Sequence, residues 1–307
     1  MVTERELTDQ LAGFFGNQDP GVAIGIGDDG AVVRTSMRTV VACDPVVEGV
    51  HFTRSDRLEL VGRKAVNRNL SDLAAMGAGP TYLLVSLLQP KWLTDSQRHK
   101  LLSGIRKAAA AGACTVVGGD VSVSSGGLVV TVTALGTAPR RPLRRDGLRV
   151  GDTLHVTGPL GGSGLGRHLR FTPRIAEGQW LAEQPSVSSG IDISDGLLLD
   201  LATVLQASSQ GKITGLGAIL DAAAIPVAKA AHSQGKITGQ SGLHHALSDG
   251  EDHELLFGLR GPLAVEGPIT GRTRRPVGVV TAVPGIRIRW PDGRVEACGT
   301  KGYQHDV

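Results

Sequence analysis

The chain has 307 residues, of which 41% are hydrophobic and 20% are charged, a composition that predicts a soluble protein with room for two domains. Its formal net charge is +3 and its aromatic content is 3%, so neither a basic surface nor a set of stacking side chains predicts nucleic-acid binding. No apolar run reaches the roughly 20 residues of a membrane helix, and the N-terminal segment does not resemble a secretory signal.

Helical and strand-like segments alternate through the first half of the chain. The predicted helices cover 3–15, 58–77 and 94–111, and the predicted strands cover 39–43, 82–88, 115–117 and 128–135. The helices have apolar residues at helical spacing, and the strands are short apolar runs that are mostly β-branched. This alternation predicts an α/β domain.

The basic stretch 140–147 contains Pro142 and lies between two apolar segments, so we place a domain boundary there. The prediction is an N-terminal α/β domain over 1–139 and a C-terminal α/β domain over 140–307. In the second domain the predicted helices cover 173–183 and 197–208, and the predicted strands cover 154–157, 191–193, 253–259, 277–280 and 286–290.

One heptapeptide, Ser-Gln-Gly-Lys-Ile-Thr-Gly, occurs twice, at 209–215 and at 233–239. Two copies of seven residues are too few for a repeat architecture. We expect both copies to lie in surface loops that follow helices.

The three cysteines, Cys43, Cys114 and Cys298, are far apart and form no Cys-x-x-Cys motif. Their spacing indicates neither a disulfide framework nor a zinc site. We therefore expect reduced thiols in a cytoplasmic protein.

Aspartates that close apolar runs near glycine or serine are the main recurring feature of the sequence. They are Asp28, Asp29, Asp44, Asp72, Asp120, Asp192 and Asp195. Nearly all fall at the end of a predicted strand or beside a predicted helix, where α/β proteins gather ligand-binding groups. Carboxylates in one cleft repel each other unless cations neutralise them, and Mg²⁺ is the natural partner of carboxylates and phosphates.

A helix cap or a turn is the alternative for any single aspartate, and we assign Asp200 and Asp221 to such structural roles.

Donors for a phosphate are less clearly marked. No Walker-type Gly-x-x-x-x-Gly-Lys-Ser/Thr motif occurs, whereas the amides of Gly118 and Gly119 are expected to approach a phosphate closely. The glycine-rich stretch 157–166 is weak evidence for a dinucleotide loop. His51 is open to two interpretations, a substrate contact or a packed residue, and the His244-His245 pair is predicted to lie on the surface.

Eight motifs together carry a resemblance to a known family. They are Gly-Ile-Gly-Asp-Asp (25–29), Glu-Gly-Val-His-Phe (48–52), Asn-Leu-Ser-Asp-Leu-Ala-Ala-Met-Gly-Ala (69–78), Val-Gly-Gly-Asp (117–120), His-Leu-Arg (168–170) with Pro-Arg-Ile (173–175), Asp-Ile-Ser-Asp-Gly-Leu (192–197), Gly-Glu-Asp-His-Glu-Leu-Leu-Phe (250–257) and Lys-Gly-Tyr (301–303). In this order, and spanning nearly the whole chain, they resemble the thiamine-monophosphate kinases.

The resemblance implies the two-domain α/β fold, of α+β type, of the aminoimidazole-ribonucleotide-synthetase-like superfamily. Residues 1–139 would form the ATP- and Mg²⁺-binding domain and pair their sheets across a homodimer, and residues 140–307 would close the active-site cleft. The implied reaction transfers the γ-phosphoryl group of ATP to thiamine monophosphate, which gives thiamine diphosphate and ADP.

The resemblance also implies roles for individual residues. Several Mg²⁺ ions would be bound by Asp29, Asp44, Asp72, Asp120, Asp192 and Asp195, with Asp28 as a further ligand or a turn-forming neighbour. ATP would contact Gly119, Asp120, Arg145 and Ser194, and thiamine monophosphate would contact His51, Glu251 and Tyr303. The attacking phosphate oxygen is already largely ionised at neutral pH, so we expect no catalytic residue beyond those that position metals and phosphates for in-line transfer.

The sequence departs from the family pattern at several positions. Ala42 and Cys43 replace hydroxyl-bearing residues before Asp44, Pro45 follows it, and Arg68 replaces an apolar residue. The loss of a hydroxyl ligand would weaken one metal position. These departures leave open a non-catalytic nucleotide or thiamine-phosphate binding protein, and another ATP-dependent enzyme of the same fold is a second alternative.

Overall fold

The computed structural model describes residues 4–16, 19–26, 31–209, 215–263, 267–269 and 275–299. The chain divides into two compact units. Unit 1 comprises Met1–Leu73 and Ala78–Ala138, and unit 2 comprises Ala74–Gly77 and Pro139–Val307. No helix in the described ranges is long and apolar enough to cross a membrane.

Unit 1 combines helices with a small sheet. Its elements in chain order are α1 (Glu4–Phe15), β1 (Val22–Ile24), β2 (Val32–Val33), β3 (Thr39–Val47), α2 (Leu58–Ala75), β4 (Gly79–Pro90), α3 (Asp95–Ala111), β5 (Thr115–Ser124) and β6 (Val129–Thr137). Strands β1 and β2 form a separate antiparallel pair. The main sheet has the order β3-β6-β4-β5, and among its neighbouring strands β4 and β5 are the one parallel pair.

The two faces of this four-stranded sheet differ in burial. Val130, Val132 and Ala134 of β6 are fully buried, while the residues between them are half-buried. Such an alternation is expected where one face of a strand is covered. On the other face, Val41 of β3 and Leu84 of β4 are exposed.

Unit 2 is built around a larger sheet. Its elements are β7 (Thr153–Val156), α4 (Ile175–Glu183), β8 (Val187–Asp192), α5 (Leu197–Ser209), β9 (Gly217–Asp221), α6 (Lys229–Thr238), α7 (Gly242–Ser248), β10 (Leu255–Leu259), β11 (Gly278–Thr281), β12 (Gly285–Arg289) and β13 (Val295–Cys298). The seven strands have the order β13-β12-β9-β11-β7-β10-β8. Neighbours are antiparallel except β9 and β12, which run parallel. The predicted α/β class is confirmed.

The second copy of the heptapeptide lies in a helix, so the prediction of a loop at 233–239 is wrong. Its first six residues belong to α6, and Gly239 ends the helix in the left-handed conformation. The hydroxyls of Ser233 and Thr238 donate to carbonyls four residues earlier, which accommodates these polar side chains in the helix. In the first copy, residues 210–214 lie outside the described residues.

His245 is buried, so the prediction that it lies on the surface is wrong. Its Nδ1 is 2.9 Å from Asp249 Oδ1, and its Nε2 is 2.8 Å from Thr238 Oγ1. The ring therefore connects α6 with the end of α7. These hydrogen bonds compensate the imidazole for its loss of water.

Two glycines allow helices α2 and α3 to pack closely. A Cβ atom at Gly62 would overlap the carbonyl oxygen of Leu101, and one at Gly104 would overlap that of Glu59. The backbones of the two helices therefore approach each other more closely than ordinary side chains permit.

We predict that Gly104→Ala lowers the free energy of unfolding by about 1–3 kcal/mol, because the added methyl group forces α2 and α3 apart. Gly13→Ala is the matched control: Gly13 lies in α1 with open space around its Cα, and alanine there raises helix stability by up to about 1 kcal/mol. Denaturant unfolding followed by circular dichroism measures both. Equal stability of Gly104→Ala and the wild type would contradict the packing argument.

Candidate active site

Two predicted metal ligands lie inside strands of unit 1 rather than at strand ends. Strand β3 continues past Asp44 to Val47, and β5 continues past Asp120 to Ser124. The sequence prediction ended both strands too early because Pro45 and the neighbouring glycines interrupt the apolar pattern. The partner strands continue the pairing across these interruptions.

Asp44 and Asp120 stand on opposite edges of the four-stranded sheet. The row that contains Asp44 passes through Val132 and Val85 to Gly119, and Asp120 is one residue beyond it. Strands in a sheet are about 4.8 Å apart, so three spacings separate the edges by roughly 14 Å. One ion therefore cannot bridge these two carboxylates.

Helix α2 holds the backbone of Asp44. The amide of Asp44 donates to Asn69 Oδ1 at 2.8 Å, and Asn69 Nδ2 donates to the Asp44 carbonyl at 3.3 Å. Asp72 follows Asn69 by three residues, a spacing that places both on one helix face. Arg68 Nη2 lies 3.2 Å from Asp44 Oδ2. Sequence reasoning missed these roles of Asn69 and Arg68, although Asn69 opens one of the recognised motifs.

His51 is fixed at both its ring and its backbone. Its Nδ1 accepts a hydrogen bond from the amide of Val47 at 3.0 Å, so in the neutral ring Nε2 carries the proton. The fully buried Lys64 donates from Nζ to the His51 carbonyl at 2.6 Å. Of the two interpretations, the structure therefore shows a packed ring, and this geometry is compatible with a substrate contact.

In unit 2 the fold brings Ser194 and Glu251 together. The amide of Glu251 donates to the Ser194 carbonyl at 2.7 Å, and the amide of His253 donates to the Ile193 carbonyl at 2.8 Å. Glu251 and His253 have φ angles of 52° and 51°, values that strain residues with a side chain and that concentrate at functional sites. Glu251 Oε2 lies 3.3 Å from His168 Nδ1.

Three carboxylates crowd together between β8 and α5. The pKa of Asp200 is raised to about 8, first by burial and then by the negative charges of Asp192 and Asp195, although two backbone amides donate to its carboxylate. Those amides belong to Asp195 and Gly196, so Asp200 holds the start of α5, the structural role predicted for it. Crowded carboxylate oxygens are suitable ligands for a hard divalent cation, and Asp192 and Asp195 therefore fit Mg²⁺.

Two further buried carboxylates, which sequence reasoning left unassigned, anchor the glycine-rich stretch. Asp252 accepts hydrogen bonds from the Gly161 amide at 2.8 Å and from Arg167 Nη1 at 2.9 Å. Glu254 accepts from Arg174 Nε at 2.7 Å and from Arg174 Nη2 at 2.6 Å. Because the Gly161 amide is engaged inside the protein, the stretch loses a donor that a dinucleotide loop would use.

Several predicted site residues remain without a described role. Asp28, Asp29 and Tyr303 lie outside the described residues. Arg145 is exposed, and its carbonyl accepts a hydrogen bond from Ser208 Oγ at 3.0 Å. Among the residues that the structure describes, no group of three or more His, Cys, Asp or Glu is arranged to hold a metal ion. The metal-binding role of the aspartates therefore stays a prediction.

Comparisons with known proteins give a consistent relationship. Residues 27–138 match the family described as AIR synthase related protein, N-terminal domain. The chain is 37% identical over 300 residues to the thiamine-monophosphate kinase of Rhodopirellula baltica, with 94% of this chain and 93% of the relative covered. The solved structure of AaThiL complexed with AMPPCP and TMP matches with a TM-score of 0.76 and 29% identity, and covers 99% of this chain and 97% of that one. A structure of the hydrogenase maturation protein HypE reaches a TM-score of 0.77 at 19% identity, with 97% and 98% covered, which is a likeness of fold alone.

Asp252 makes the stability of the protein depend on pH. Burial raises its pKa from 3.8 to about 7, although Arg167 and the Gly161 amide oppose the shift. The folded protein then binds this proton more tightly than the unfolded chain. The free energy of unfolding therefore falls as the pH rises from 3.8 to about 7, and it levels off above that range.

We predict that Asp252→Asn flattens this part of the profile of melting temperature against pH. Parallel profiles for wild type and variant would contradict the assignment.

Proposed function

The chain belongs to the thiamine-monophosphate kinase family, and we propose that its aspartates bind the Mg²⁺ ions that the reaction needs. The reaction is the ATP-dependent phosphorylation of thiamine monophosphate to thiamine diphosphate. The observation that carries this conclusion is the 37% identity to a kinase of this name over 94% of the chain. The match to a structure that holds an ATP analogue, AMPPCP, together with TMP gives independent support.

The chemistry of this transfer requires positioning rather than a general base. A phosphate oxygen of thiamine monophosphate is largely ionised at neutral pH and is itself the nucleophile. What remains is to bring two polyanions into line. Bound Mg²⁺ supplies the positive charge that offsets their repulsion. The side chains of the protein therefore orient metals and phosphates.

Seven carboxylates are the metal ligands in this proposal. The ligands are Asp28, Asp29, Asp44, Asp72 and Asp120 from unit 1 and Asp192 and Asp195 from unit 2. The roughly 14 Å between the sheet edges that carry Asp44 and Asp120 favours several ions over one. The crowding of three carboxylates supports a cation beside Asp192 and Asp195, because added positive charge there would relieve the repulsion that, after burial, raises the pKa of Asp200.

The nucleotide contacts that we propose are Gly119, Asp120, Arg145 and Ser194. A Cβ atom at Gly119 would overlap the backbone of Val85 on the neighbouring strand, so this position requires glycine. Arg145 is exposed and provides a guanidinium for a phosphate.

The substrate contacts that we propose are His51, Glu251 and Tyr303. The Nε2 proton of His51 is suited to a phosphate oxygen of thiamine monophosphate, because Nδ1 is already occupied by the Val47 amide. The carboxylate of Glu251 has the charge that attracts the cationic thiazolium ring.

We further propose a cytoplasmic homodimer in which residues 1–139 pair their sheets with those of a second copy. The exposed side chains of Val41, Leu84 and Leu88 share one face of the four-stranded sheet, and an apolar face of this kind is stabilised when a partner covers it. Cys43 and Cys114 are free thiols, which agrees with a reducing compartment.

The direct test is turnover of the purified protein with ATP, Mg²⁺ and thiamine monophosphate, followed by chromatography. We expect thiamine diphosphate and ADP in equal amounts, and no product when EDTA removes Mg²⁺. We also expect Asp72→Asn to lower turnover by about 100-fold or more with an unchanged circular dichroism spectrum.

Asp221→Asn is the matched control, because that carboxylate accepts a turn amide from Ala223. It is expected to turn over like the wild type. Near-normal turnover of Asp72→Asn would contradict the metal role of Asp72. Absence of thiamine diphosphate with wild-type protein would contradict the proposed function itself.

A further inference from the structure

Arg68 and Asp44 form an ion pair that is built into unit 1. Arg68 Nη2 lies 3.2 Å from Asp44 Oδ2, with side-chain exposures of 15% and 37%. Asn69, the next residue of α2, is hydrogen-bonded to both backbone polar groups of Asp44. Helix α2 and strand β3 are thus held together at the position where the two charged side chains meet.

Arg68 has one anionic neighbour, Asp44, among the residues that the structure describes. Its Nε is buried and has no hydrogen-bond partner there. A guanidinium taken out of water costs free energy unless an anion faces it. The Asp44 carboxylate therefore stabilises Arg68, and Arg68 neutralises the carboxylate.

The carboxylate of Asp44 is exposed enough to meet a cation from solvent as well. A divalent ion and a guanidinium would then compete for the same oxygens, and each disfavours the other by charge repulsion. The contact that we consider here is the one between Arg68 and Asp44.

We infer that Arg68 is the resident counterion of Asp44 and weakens the binding of a divalent cation at that carboxylate. The guanidinium occupies the position beside Asp44 Oδ2. A metal ion that binds Asp44 has to displace the guanidinium or bind close to its positive charge. Arg68 is thus a positioning residue that sets metal affinity, and this inference rests on the metal-binding role proposed above for Asp44.

The test is calorimetric titration of Mn²⁺ into the nucleotide-free protein. Arg68→Met keeps the length and the apolar stem of the side chain but removes its charge, and Arg68→Lys keeps the charge. We expect the dissociation constant of the weakest Mn²⁺ site to be about tenfold lower in Arg68→Met. A change of this size corresponds to the loss of one repulsive charge interaction of moderate strength. Arg68→Lys is expected to stay close to the wild type. Arg57→Met is the matched control, because Arg57 faces Glu59 and no predicted metal ligand.

A second substitution separates competition from a general effect on the fold. Asp44→Asn in the Arg68→Met background is expected to abolish the tenfold gain, and circular dichroism verifies that each variant is folded. Unchanged or weaker Mn²⁺ binding in Arg68→Met would overturn the inference, and so would a gain that persists without the Asp44 carboxylate. Thiamine diphosphate formation by the wild type is measured separately. Turnover without tighter Mn²⁺ binding in Arg68→Met would contradict this inference alone, and tighter Mn²⁺ binding without turnover of the wild type would contradict the proposed function alone.

Discussion

Each carboxylate that folding removes from water needs a positive charge or an N–H donor, and this requirement shapes both units. Glu254 is satisfied by two hydrogen bonds from Arg174, and Asp44 faces Arg68. Burial, followed by the negative charges of Asp192 and Asp195, raises the pKa of Asp200 to about 8. We propose that the carboxylates next to this group attract divalent cations, because a cation there lowers the repulsion among them.

The segment Glu251–Glu254 shows how this requirement supports a functional site. Asp252 and Glu254 are anchored by arginines and a backbone amide in the interior of unit 2. These anchors hold Glu251 and His253 in a left-handed backbone conformation that neither residue prefers. The strain is offset by buried hydrogen bonds, and the Glu251 carboxylate lies beside His168.

Local sequence patterns were sufficient for much of the fold. The helices predicted over 58–77 and 94–111 are Leu58–Ala75 and Asp95–Ala111, because their apolar spacing and end signals are strong. Helix α6 was missed because its polar residues and its glycine hide the helical spacing of its apolar residues. One of its contacts, between Thr238 and His245, is made to the next helix and cannot be seen in the local sequence.

The candidate site was predicted less completely, for a physical reason. The aspartates were recognised by their motifs, but the partners of the buried charges are far away in the chain: Arg174 and Glu254 are 80 positions apart. The ion pair of Arg68 with Asp44 likewise joins a helix to a strand 24 positions earlier. Pairs of this kind are decided by tertiary packing, and no local pattern reports them.

The central claim is that divalent cations link these carboxylates to the phosphates of both substrates. The most direct measurement is anomalous diffraction from crystals grown with Mn²⁺, AMPPCP and thiamine monophosphate. The account predicts several Mn²⁺ peaks within coordination distance of the Asp72, Asp120, Asp192 and Asp195 carboxylates, with the weakest peak at Asp44. Mn²⁺ bound to phosphate oxygens alone, with no aspartate among its ligands, would contradict it.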